Sequence, residues 1–255
     1  ALPVQDRLLR GEHGGVRAAV TLDELLAPDR LVDLSQPLAP GMGVWPGSSP
    51  VVAKVTANHP DDGMYNRDLE LPEHVGTHLD APIHFAPEGA TVDRLPLGSL
   101  VRPAVKLDVR PWVAGNPHAT FGRGVLEELE ERDGPIPAGS AVLIHTGWDA
   151  HVGDPRMYFG EPLAFPGPTG DAAELFVERG IAGLGLDTPS VDVGTSTEHP
   201  VHHTTLPAGI WHLEGLVGLE HVPARGAWLV VGALPLVGGS GTPVRVFAIL
   251  PPPPG

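Results

Sequence analysis

At 255 residues with 42% apolar side chains, the chain suits one large domain with a substantial buried core, and no linker-like run divides it. A formal net charge of −15, with histidines neutral, argues against nucleic acid and against a membrane surface as partners, since both are anionic. Cysteine is absent, which excludes disulfides, thiolate zinc sites and cysteine nucleophiles, and no apolar run approaches the roughly 20 residues that span a bilayer.

No leader is visible after Ala1, so a cytoplasmic location is expected. Residues 1–30 are polar with scattered leucines and read as an N-terminal extension. Inside them Thr21-Leu22-Asp23-Glu24 has capping-box form, opening a short helix that Pro28 ends. Residues 31–35 form a short apolar strand, and residues 41–50 a turn-rich loop that carries Trp45. Residues 51–56 and 67–71 alternate as strands, with a turn at Asp61-Asp62-Gly63. Residues 101–109 are a further strand, and residues 123–132 an amphipathic helix stopped by Gly134-Pro135. The run 141–145 is apolar without alternation, as in a strand buried on both faces. A second amphipathic helix over 171–179 leads into a strand over 181–186. Two successive helix-then-strand units imply that part of the sheet is parallel. Late strands are expected at 228–233 and 244–250, separated by a flexible Gly238-Gly239-Ser240-Gly241, before a proline-rich tail. The pattern is a mixed α/β domain with many strands and few helices.

Within residues 73–85 stand His74, His78, Asp80 and His84, a ligand set suited to zinc, manganese or ferrous iron. A helix would leave Asp80 off the face of His74 and His78 and would meet Pro82. A strand puts all four on one side, but a straight one would hold His74 and His78 about 13 Å apart. The expected solution is a strand, a tight bend at Gly76-Thr77, and a short extended run carrying Asp80 and His84.

A second cluster follows at Glu198-His199-Pro200-Val201-His202-His203 and Trp211-His212-Leu213-Glu214. Alone it reads slightly more readily as a polar surface loop than as a site. Combined with the first patch it supplies two more ligands, enough for two ions about 3.5–4 Å apart if the aspartate bridges. A serine nucleophile has no support, because Gly238-Gly239-Ser240-Gly241-Thr242 lacks the last glycine of a nucleophile elbow. The H-E-x-x-H helix of zinc proteases is missing as well. His145, at the end of a buried strand, reads as a hydrogen-bonded core residue.

The run His74-Val75-Gly76-Thr77-His78-Leu79-Asp80-Ala81-Pro82-Ile83-His84-Phe85 resembles the H-x-G-T-H-x-D-x-P-x-H signature of the metal-dependent cyclase family, which contains bacterial kynurenine formamidase and isatin hydrolase. Val44-Trp45-Pro46-Gly47, Thr146-Gly147-Trp148-Asp149, the stretch from Gly185 through Asp187 to Asp192, and Gly241-Thr242-Pro243-Val244-Arg245 resemble other family motifs in the same order. The resemblance covers residues 31–250. It implies a single domain over 31–255 of swivelling β/β/α type, assembled as a homodimer or homotetramer. It also implies a divalent metal, zinc first and manganese as the alternative, with two ions per chain in the formamidase type. By the same resemblance His74, His78 and Asp80 are ligands, and His84 is a ligand or catalytic base. A later histidine and a glutamate twelve residues on complete a two-metal site in formamidases, which points to His202 and Glu214. Glu214 favours that type over the one-manganese isatin hydrolases, whereas Ser48 departs from the aspartate that formamidases tend to carry there.

The implied activity is arylformamidase-like hydrolysis of a non-peptide carbon–nitrogen bond, in N-formylkynurenine or a related aryl formamide, a step of tryptophan catabolism. The alternative is isatin hydrolase-like opening of a cyclic amide or lactone. A metal-bound hydroxide is the expected nucleophile, with His84 and Glu214 as catalytic residues and Trp45 and Phe85 against an aromatic substrate. Two rival readings use the same ligands: a non-haem iron oxygenase, and a closed metal site without catalysis.

Overall fold

The unbroken apolar run Ala141–His145 is buried at every position, and a parallel set of strands forms around it. The computed structural model describes residues 21–252. Among them the strands are β1 (Leu31–Asp33), β2 (Val52–Ala57), β3 (Asn66–Glu70), β4 (His78–Asp80), β5 (Val101–Asp108), β6 (Thr120–Phe121), β7 (Ala141–His145), β8 (Gly167–Pro168), β9 (Gly183–Leu186), β10 (Trp211–Glu214), β11 (Trp228–Ala233) and β12 (Gly241–Ile249). Strands β5, β7, β9 and β10 lie parallel, each beside the next. The long β12 pairs antiparallel with β11 through its second half and with β4 through Gly241, Thr242 and Pro243. Because β4 also pairs with β10, and β11 with β5, the sheet closes into a seven-stranded mixed barrel with β1 added alongside β12.

Alternation along each strand divides the core in two. Leu79, Leu143, Leu213, Leu229 and Val246 fill the barrel interior. Val142, Ile144, Leu184 and Leu186 point outward, under Leu126 and Leu129 of helix Arg123–Asp133 and Leu175 and Phe176 of helix Gly170–Arg179. These helices are the two amphipathic segments expected from sequence, and each precedes a parallel strand as expected. The hairpin of β2 and β3 stands apart from the barrel and leaves Val52, Val55 and Leu69 exposed.

Helix Leu22–Leu25 has the expected capping box: Glu24 N–H donates to Thr21 Oγ1 at 3.2 Å and Thr21 N–H to Glu24 Oε2 at 2.7 Å. The rest of the N-terminal extension, residues 1–20, and the last three tail residues lie outside the described residues. Three local expectations are corrected. His74 sits in a loop rather than a strand, and His84 on the 3-10 turn Pro82–His84 rather than an extended run, because Pro82 begins a new turn directly after β4. Gly241, expected to be part of a flexible link, is buried in β12 opposite Asp80. His145 is buried as expected, yet its Nδ1 has no hydrogen-bond partner.

Candidate metal centre

Leu79 and Leu213 point into the barrel, so their neighbours His78, Asp80, His212 and Glu214 all project from its outer face. The antiparallel register places Glu214 opposite His78 and His212 opposite Asp80. His78 Nε2 lies 3.3 Å from both Asp80 Oδ1 and Glu214 Oε2. The four-residue β10 was not expected as a strand; only its His and Glu were noticed.

His202 approaches this face from helix Pro200–Thr205, with Nε2 3.4 Å from Asp80 Oδ2 and 3.3 Å from Glu214 Oε1. Its helix is anchored by Asp192, a residue sequence reasoning passed over as a functional group. One Asp192 oxygen accepts from Val201 N–H at 2.8 Å, and the other from His202 Nδ1–H at 2.6 Å. A carboxylate ten residues upstream therefore aims the imidazole, a relation that carries no local sequence pattern.

The expected bend before β4 is present: Gly76 has φ +62°, the left-handed region that glycine enters without steric cost. It carries the chain from His78 back to His74, whose Nδ1 lies 2.7 Å from Asp80 Oδ1 and whose Nε2 lies 2.9 Å from the Ser240 hydroxyl. Ser240 Oγ–H donates to Glu73 Oε2 at 2.8 Å, so the loops at 73 and 240 are tied beside the site. Gly241 is required here for space: a Cβ would stand 2.5 Å from His74 Cε1. Gly241→Ala should push the His74 ring off Asp80 and weaken metal binding by at least about tenfold with the barrel intact, as read by metal titration beside circular dichroism.

The donor set fits a divalent ion. His78 Nδ1–H donates to the Gly76 carbonyl at 3.1 Å, and His202 Nδ1–H to Asp192, so both rings turn an Nε2 toward Asp80 and Glu214. Fixing a ring by its far nitrogen is how proteins prepare histidine for a metal. Asp80 is fully buried, and its Oδ2 has no hydrogen-bond partner, the signature of an oxygen awaiting a cation. Burial alone would lower the His78 imidazole, but the Asp80 and Glu214 carboxylates outweigh it and raise it to about 10. His202 is likewise raised, against its burial, by Asp192, Asp80 and Glu214. Burial, with the Asp80 charge, works to raise Glu214, but His202 and His78 bring it down to about 2.

These carboxylates stay ionised at neutral pH while the imidazoles facing them gather protons that an ion must displace. Metal binding should therefore release protons at pH 7, and apparent affinity should rise with pH up to about 10, the range in which His78 holds its proton without metal. Calorimetry in two buffers of different ionisation enthalpy would read this directly. Equal heats in both buffers would refute it.

A cavity of about 520 Å³ opens over the cluster, lined by Trp45, His74, His78, His84, Phe85, Tyr158, Phe159, His202 and Glu214 among others. The His84 ring stacks on His74 at 4.1 Å between centroids and reaches cavity solvent, yet burial by the surrounding wall pulls its imidazole down to about 4. Phe85 lies 4.5 Å from the His202 ring, and Trp45 meets Phe159 and Phe165 edge-on at 6.4 Å. All eight residues singled out from sequence thus converge on one cavity or the cluster beneath it. Asp192 and His212 are the additions.

Known proteins resemble this chain in sequence and fold. The kynurenine formamidase of Salinibacter ruber is 36% identical over 217 residues, covering 84% of this chain and 95% of that protein. The solved isatin hydrolase A of Labrenzia aggregata, bound to benzyl benzoate, superposes with a TM-score of 0.81 at 29% identity, over 87% of this chain and 93% of that one. A structure described as a potential metal-dependent hydrolase with cyclase activity superposes with a TM-score of 0.68 at 27% identity, over 86% and 96% of the two chains. Residues 32–193, which carry the Gly76 bend, β4 and the Asp192 anchor, match the Cyclase family, and the chain belongs to it.

Proposed function

We propose that the chain is a metal-dependent hydrolase of a non-peptide carbon–nitrogen bond, acting on an aryl formamide of the N-formylkynurenine type. The observation that carries this is Asp80: its two oxygens face separate imidazoles, His74 and His78 on one side and His202 on the other, with Glu214 across from both. A carboxylate set between two groups of imidazoles would suit two ions, zinc being the first candidate and manganese the second. His74, His78, Asp80, His202 and Glu214 would hold them. Bound divalent ions supply an acidified water near neutrality and a Lewis acid for the carbonyl.

The protein side chains do the rest. His84 is neutral at pH 7 and faces the cavity, so it can accept a proton from the attacking water. Its low pKa then makes the protonated ring a strong donor to the departing nitrogen. Glu214 is better suited to holding metal than to moving protons, because Oε1 accepts from Val191 N–H at 2.9 Å and the group stays ionised. Trp45 and Phe85 form aromatic walls for an aryl ring. The isatin hydrolase likeness supports a second reading, ring opening of a cyclic aryl amide in the same cavity.

The test is a screen of N-formylkynurenine, isatin and related aryl amides and lactones with zinc and with manganese, beside metal analysis. Hydrolysis that chelation abolishes and added metal restores is expected. Full activity in metal-free protein would overturn the reading, and metal-dependent oxygen consumption would replace it with an oxygenase. A homodimer or homotetramer is proposed as well, supported by the exposed apolar side chains of the β2–β3 hairpin. Light scattering on a size-exclusion column reads it, and a monomer counts against it.

A further inference from the structure

Among the described residues three buried side-chain polar atoms lack a hydrogen-bond partner, and two of them, Asp80 Oδ2 and His212 Nδ1, face each other across 3.8 Å. The other nitrogen of His212, Nε2, lies 2.6 Å from Thr205 Oγ1, and that hydroxyl lies 2.7 Å from the Val201 carbonyl. A hydroxyl has one proton to give and a carbonyl has none. Both contacts are satisfied only if Thr205 donates to Val201 O and accepts from His212 Nε2–H. The neutral ring then carries its lone pair on Nδ1, directed at a carboxylate oxygen. Two acceptors facing each other in a dry interior are unfavourable unless a cation lies between them.

Resting on the metal-dependent reading above, we propose that His212 is a further protein donor to the ion held by Asp80, His202 and Glu214, so that the two metal positions differ in kind. Asp80, His202, His212 and Glu214 are all buried, and each offers a ligand atom within 4.8 Å of the others. Donors about 2.0–2.2 Å from one ion stand at most about 4.4 Å apart, so the 3.8 Å, 3.4 Å and 3.3 Å separations from His212 to Asp80, Asp80 to His202 and His202 to Glu214 fit a shared ion. Four protein donors close a coordination shell, the structural type. The His74, His78 and Asp80 position has three donors, with His74 partly open to the cavity, and so keeps room for water and substrate. Thr205 is a positioning residue in this scheme: it fixes the tautomer that presents Nδ1.

The full-length chain, stripped and then reloaded with zinc, decides the matter through metal retention rather than turnover. Against a chromophoric chelator the wild type should show one tight and one weaker zinc per chain. His212→Ala should loosen the tight class by at least about a hundredfold. Thr205→Val, which keeps the ligand but frees its tautomer, should loosen it by about tenfold, and Thr205→Ser should restore it. With cobalt in place of zinc, the tight class should show the strong visible absorption of a four-coordinate ion, and His212→Ala should change that spectrum. If His212→Ala does not fold, Thr205→Val and Thr205→Ser carry the test. Zinc retained equally by wild type and these variants would overturn the proposal while leaving a two-metal hydrolase standing. No zinc bound by the wild type would instead overturn the metal-dependent reading on which it rests.

Discussion

Asp80→Asn should yield a folded protein that no longer holds its metal and has lost turnover by a thousandfold or more. The change keeps the shape of the side chain and removes its charge. Each Asp80 oxygen serves a different set of imidazoles, so one substitution empties both proposed positions. Burial alone would raise the Asp80 carboxyl, but the surrounding imidazoles of His202, His212, His74 and His78 hold it well below the usual range. An amide in its place would leave those rings facing a neutral group and, with Glu214, a single charge. Losing the acidified water removes on the order of 4 kcal/mol or more of transition-state stabilisation, which is about a thousandfold in rate. The checks are metal content by mass spectrometry and the shift in melting temperature on adding zinc. That shift should be present in the wild type and absent in the variant. Stoichiometric zinc in Asp80→Asn would remove Asp80 from the centre of the scheme.

His84→Ala should behave in the opposite way, keeping its metal and losing turnover by roughly a hundredfold to ten-thousandfold. His84 stacks on His74 and borders the cavity, and its ring is 5.9 Å from that of His202, which places it beside the ligands rather than among them. With its pKa down at about 4, the ring is neutral across the physiological range. A base of that kind loses activity as pH falls toward 4, and the wild-type profile at saturating metal should show this limb. A nearby bound cation pushes the same pKa further down, so the limb should not move upward on loading. His84→Ala should lack the limb. Loss of metal from the variant would make His84 a ligand and leave the proton transfer to another group.

The sequence made some of this site visible because the relevant signals are local. The spacing of His74, His78 and Asp80 demanded a bend, and Gly76 was the residue able to supply it. The two amphipathic helices announced the parallel half of the barrel, because a helix between strands is the usual parallel crossover. What could not be read depends on residues far apart in the chain. Strand β10 has four residues, two of them polar, and shows itself only through its pairing with β4 and β9. Asp192 ends a stretch that resembles a family motif, but its role as an anchor shows only in the fold, where the helix at Pro200–Thr205 brings His202 onto it. Gly241 was misread for the same reason. In sequence a glycine that closes a Gly-Gly-Ser-Gly run signals freedom, while in the fold the ring of His74 occupies the place of its side chain.

The barrel closes on β4, a three-residue stave held between β10 and β12. That stave carries His78 and Asp80, and Glu214 sits on the neighbouring stave, so an ion bound by them would clasp the edge at which the cylinder is joined. Removing it should loosen this joint before the rest. Amide exchange should quicken at Ala81, whose N–H bonds to Ser240 O, and at Val244, whose N–H bonds to Thr77 O, while the amides of β7 on the parallel side stay protected. The same ions that equip the chain for hydrolysis would then also decide whether its barrel stays shut.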